Sequence, residues 1–175
     1  KVLNQKQSLF TYLVNKSKYT LYYRTSGGRY FKLITSFPPY FSGESGAMKS
    51  TKQGVLYFVT SADRDIFVTI LNASVFYWFW RIRSNCRDLT MKEIENFPIA
   101  LDAMSKNNKQ KLSELSSNLM NDLKSNSYRK KCTYKATGRI EYDEYYPKHS
   151  KHIIDEIDRV LAKHYGFTDE ELDFI

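Results

Sequence analysis

Apolar positions along the chain change period twice, and the changes mark out its elements. Residues 20–24 (TLYYR) and 29–35 (RYFKLIT) are rich in aromatic and β-branched side chains and predict two strands, with Ser26-Gly27-Gly28 between them supplying the backbone freedom of a hairpin turn. On the second strand Arg29, Phe31 and Leu33 fall on one face and Tyr30, Lys32 and Ile34 on the other, so a cation and an aromatic ring share each side. Residues 36–54, opened by Pro38-Pro39 and nearly free of apolar side chains after Phe41, predict a loop. A third strand is predicted over 55–60 (VLYFVT).

From Asp65 the spacing becomes helical. Ile66, Phe67, Ile70, Leu71, Ser74, Tyr77, Trp78 and Arg81 recur at three and four, which predicts one buried helix rich in aromatic residues. A polar turn at 84–88 follows, then Thr90 with Glu93 as a capping box for a short helix stopped at Phe97-Pro98. Leu112, Leu115, Leu119 and Leu123 mark a further helix, and Ile153, Ile154, Ile157, Val160 and Leu161 another, which Ser150 is placed to cap and Gly166 to end. Residues 128–146 between them read as irregular or briefly extended. The expected fold class is α+β: a mainly antiparallel twisted sheet in residues 1–100 with a buried aromatic helix, followed by a helical part in 101–175. Thr168 with Glu171 caps one more helix that the chain barely enters, and Lys1 is not an initiator Met, so a larger protein is expected around this single domain.

Charge changes the picture more than composition does. At 42% hydrophobic and 15% aromatic the chain is an ordinary globular one, and its apolar runs are far below the roughly 20 residues of a membrane span. Cys86 and Cys132 have no CxxC spacing, so a reducing, cytoplasmic setting is expected. The net charge of +8, however, is entirely local. Nine cations (Lys1, Lys6, Lys16, Lys18, Arg24, Arg29, Lys32, Lys49 and Lys52) face only Glu44 in the first sixty residues, while the rest of the chain balances. Twelve aromatic residues are interleaved with them. This mixture points to a polyanion, with the cations on phosphates and the rings against bases, although composition alone also allows a solvated basic face.

Catalytic constellations are scarce. Phe37-Pro38-Pro39-Tyr40 is similar to the Pro-Pro motif of amino-methylating DNA methyltransferases, but Phe37 stands where a hydrogen-bond acceptor for the target amine is required. No glycine-rich cofactor loop follows a strand. Glu141, Asp143 and Glu144 near Lys148 lack the order of a metal-dependent nuclease, and His149, His152 and His164 have no partners at ligand spacing. No catalytic residue, metal ligand or cofactor site is therefore assigned. The candidate nucleic-acid-binding set read from charge and rings is Arg24, Arg29, Tyr30, Lys32, Tyr40, Lys49 and Lys52, to which the resemblance described next adds Arg87.

Three segments, YYRTSGGRYFKL (22–33), ILNASVFYWFWRIRSNCRDLTMKEIENFPI (70–99) and SKHIIDEIDRVLAKHYGFTDEELDFI (150–175), together resemble the C-terminal target-recognition part of adenine-specific DNA methyltransferases. More closely, they resemble the TaqI-like specificity domain of fused restriction-modification enzymes of bacteria. The resemblance implies that this chain grips and selects double-stranded DNA. It also implies that a catalytic domain of the same polypeptide binds S-adenosylmethionine and performs the chemistry. Arg24 and Arg29 carry over as DNA contacts, and Arg87 matches the pattern. The alternatives are an RNA- or single-strand-binding module and a non-catalytic scaffold.

Overall fold

The computed structural model describes residues 1–26, 33–136 and 138–175. The hairpin turn at Gly27-Gly28, and with it Arg29, Tyr30 and Lys32 of the candidate set, lies outside the described residues.

The chain has an α+β fold. Strands β1 (Tyr19–Arg24), β2 (Ile34–Thr35) and β5 (Gln53–Phe58) form one antiparallel sheet in the order β2-β1-β5. Alternation along β1 turns Leu21 and Tyr23 into the core and leaves Arg24 exposed. Opposite them Leu56 and Phe58 of β5 face the same way, and the Phe58 ring stacks on Phe67 at 5.3 Å between centroids. Across from Tyr23 stands Gly54, and the Tyr23 ring occupies the space a side chain there would need: a Cβ on Gly54 would lie 2.2 Å from Tyr23 Cζ.

The helical periodicity from Asp65 resolves into two helices rather than one, α1 (Ser61–Ile70) and α2 (Ser74–Arg83). The break is made by Asn72. Its buried side chain accepts a hydrogen bond from the Ile34 N–H (3.0 Å) and donates to the carbonyls of Ile34 (2.8 Å) and Val68 (2.7 Å). The amide thereby acts as one more rung beside β2 and closes that sheet edge. Asp158 reaches the start of α2 and accepts from the Ser74 N–H at 2.8 Å, so a carboxylate from a later helix satisfies one of the open donors there.

The short α3 (Met91–Glu95) opens on the expected Thr90–Glu93 capping box. Beyond it α4 (Lys106–Ser125) and α5 (Lys151–Tyr165) carry the predicted stripes into the core, α5 ends at Gly166 in the left-handed region (φ +69°), and α6 (Asp169–Phe174) opens on the Thr168–Glu171 box. Ser150 does not cap α5; its hydroxyl donates to Asp122 Oδ2 at 2.6 Å instead, tying α5 to α4.

The segment expected to be a loop contains two short strands, and the one expected to be irregular or briefly extended is extended over most of its length. Within 36–54 the chain forms β3 (Phe41–Gly43) and β4 (Gly46–Ala47), and 128–146 is a hairpin of β6 (Tyr128–Tyr134) and β7 (Gly138–Glu144). They make a second antiparallel sheet ordered β4-β3-β7-β6, with Phe41 opposite Tyr142 and Ser42 opposite Glu141. Residues on both sides of position 100 therefore share a sheet.

Candidate nucleic-acid interface

The Pro-Pro segment leaves the first sheet after Thr35 and enters the second at Phe41. Phe37 packs edge-to-face on Tyr145 with Lys124 over its ring, so the first residue of the motif is a spacer against the core. The Tyr40 ring lies under the Arg129 guanidinium, 3.4 Å from carbon to ring centroid, while the Tyr40 hydroxyl donates to Ser42 Oγ at 3.1 Å and the Tyr40 carbonyl accepts from the Asp143 N–H at 3.2 Å. One face of Tyr40 is thus already occupied by a cation.

Where the chain crosses between sheets and returns, it leaves an open cleft of about 400 Å³. One wall is the outer end of the first sheet, with Tyr22 and Arg24, and the other is β7 with Tyr142 and Asp143. Tyr40 and Lys52 line it from the crossing and returning segments, and Tyr134 from β6. Burial raises the phenol of Tyr145, also in this lining, to about 12, and burial raises Tyr142 above the ordinary tyrosine value, so both stay neutral donors at physiological pH.

The structure brings Arg24, Tyr40 and Lys52 of the candidate set together on this cleft. Lys49 is exposed on the returning loop outside the lining. Arg87 is exposed at the turn after α2, and that turn is pinned to the same end of the sheet: the Leu89 N–H donates to the Thr25 carbonyl (2.9 Å), whose own N–H donates to Lys52 O (2.9 Å). The backbone there is a structural corner as well, with Trp80 Nε1 donating to the Asp88 carbonyl at 3.1 Å.

The charges on the two sides differ in kind. On the second sheet Arg129 meets Asp143 (2.6 Å), Lys130 meets Glu144 (3.2 Å), and both Lys131 (3.7 Å) and Arg139 (2.7 Å) meet Glu141. The Arg129 guanidinium is held above its ordinary value first by the Asp143 hydrogen bond, and Glu144 is held below the usual carboxylate range first by the Tyr146 hydroxyl. Among the described residues no carboxylate lies within 4.0 Å of Arg24, Lys49 or Lys52. The carboxylates considered for metal chemistry are thus engaged by the hairpin's own cations, while the cations of the cleft lining, Arg24 and Lys52, have no carboxylate partner among the described residues.

Arg129, Tyr134 and Tyr142 escape a reading of the sequence because β6 is mostly exposed and polar, and Ile140 is the one aliphatic side chain in the two strands. The signal was present all the same: Tyr128, Cys132 and Tyr134 keep the period of two, and Gly138 (φ +66°) follows a turn before the next such run.

No family model, curated protein or solved structure matches this chain.

Proposed function

We propose that the chain recognises double-stranded DNA as the specificity domain of an adenine-specific DNA methyltransferase or fused restriction-modification enzyme. The observation that carries the reading is that Arg24 and Lys52, the cations lining the aromatic cleft among the described residues, have no carboxylate partner, with Lys49 exposed on the same returning loop as Lys52. Exposed cations without a carboxylate partner are suited to phosphates, each contact releasing condensed counterions. The resemblance of residues 22–33, 70–99 and 150–175 to target-recognition domains supports the choice of duplex over other polyanions. Under this reading the chain performs no methyl transfer itself, and S-adenosylmethionine is held by a catalytic domain of the same polypeptide.

Fluorescence anisotropy with labelled duplex DNA tests the reading. Binding is expected to weaken roughly tenfold to a hundredfold between about 50 and 200 mM salt, the fall that about three phosphate contacts produce. Tighter binding to the separated strands would favour a single-strand-binding module. No binding even at low salt would leave only the scaffold reading.

A further inference from the structure

We propose that the cleft between the two sheets holds one unpaired nucleotide of a bound nucleic-acid strand. The inference rests on the reading of the chain as a duplex-binding domain and goes beyond it, because a paired base in a regular helix has no use for such a cleft. At about 400 Å³ the cavity has room for one nucleotide and not for a duplex, whose grooves are engaged by protruding elements rather than by hollows. Its walls carry the two groups that a nucleotide needs. Tyr22, Tyr134 and Tyr142 offer aromatic rings for a base to lie against, and Arg24 and Lys52, already assigned to phosphates, offer positive charge on the same lining. Two further observations support an occupant. Tyr134 is a large ring left 50% exposed, at the rim of a cleft it would help close. The opposite rim is stiffened before anything binds, since Arg129, held by Asp143, lies over the ring of Tyr40.

The test compares the full chain on two labelled duplexes of the same sequence, one fully paired and one carrying a single extra, unpaired 2-aminopurine nucleotide. The bulged duplex should bind about tenfold more tightly, and 2-aminopurine fluorescence should be quenched on binding as the base stacks on tyrosine. Tyr134→Ala should abolish the preference and the quenching while keeping the affinity for paired duplex within about twofold. Tyr134→Phe should restore both, which a merely structural loss would not allow. Equal binding of both duplexes, or a preference that survives Tyr134→Ala and Tyr142→Ala together, overturns the proposal while leaving duplex recognition standing. Binding of neither duplex fails duplex recognition itself, and this inference with it. Adenosine monophosphate that displaces the bulged duplex at concentrations comparable with that duplex's own Kd would make the free nucleotide the ligand and overturn the assignment to a strand.

Discussion

Asn72 shows how one side chain can set the course of the chain. Its amide carries three hydrogen bonds in a site closed to solvent, two of them to the backbone of Ile34 on the neighbouring strand. Asn72→Ala would leave the Ile34 N–H and C=O buried without partners on that side, and each such group costs about 1–3 kcal/mol. The variant should lose roughly 3 kcal/mol in urea unfolding; a loss well under 1 kcal/mol would mean that solvent reaches this edge. Asp158 poses a different balance. Burial raises its pKa above the ordinary Asp value, and the Ser74 hydrogen bonds only partly oppose this. Because the folded pKa lies above the unfolded one, the group's stabilising contribution is complete below the ordinary Asp range and is lost as pH rises through the folded pKa. Asp158→Asn, which can still accept from Ser74, should therefore gain in Tm relative to the natural chain between about pH 4 and pH 7. Asp158→Ala, which cannot accept, should lose about 1 kcal/mol near pH 4, the usual cost of an emptied cap, and less near pH 7, since it too is spared the buried charge. If Asp158→Asn instead loses ground as pH rises, the charge on the helix end outweighs burial.

Elements with aliphatic stripes were legible in the sequence. The leucines of α4 and the isoleucines of α5 are buried where their spacing put them, and both Thr/Glu capping boxes form, because these signals are local to a turn or two of chain. What failed was whatever depended on distant residues. The long helical period from Asp65 does not reveal a break that exists because Asn72 bonds to a strand thirty-eight positions away. Likewise β3 is three residues long and joins a sheet by pairing on one side with the two-residue β4 and on the other with β7, a hundred residues on. Of the candidate set, charge and aromatic content pointed to Arg24, Tyr40 and Lys52, which share the lining of one cleft, while the hairpin that walls it was legible only as irregular or briefly extended. Register in the first sheet rests on a packing choice that can be tested. In β5 only glycine fits opposite Tyr23, so Gly54→Ala must displace a buried ring and should cost about 1–3 kcal/mol, the range for overpacking a well-filled core. A neutral result in thermal unfolding would show that the Tyr23 ring swings aside freely.

Over the whole molecule the sequence's +8 becomes a directional field. The strands of the β6–β7 hairpin carry four cations, Arg129, Lys130, Lys131 and Arg139, yet ion pairs to Glu141, Asp143 and Glu144 offset most of that charge, and such exposed pairs contribute at most about 1 kcal/mol each to stability. Their greater effect is on the cleft, whose lining cations among the described residues, Arg24 and Lys52, are left without a carboxylate partner. Located charge, rather than net charge, is thus the central claim, and two double variants that change net charge equally separate the two. The slope of log Kd against log salt for duplex DNA should fall by about 2 in Arg24→Ala/Lys52→Ala, one unit for each phosphate contact removed, and should stay near that of the natural chain in Lys131→Ala/Arg139→Ala. Equal losses of slope in the two variants, or a larger one in the second, would contradict it.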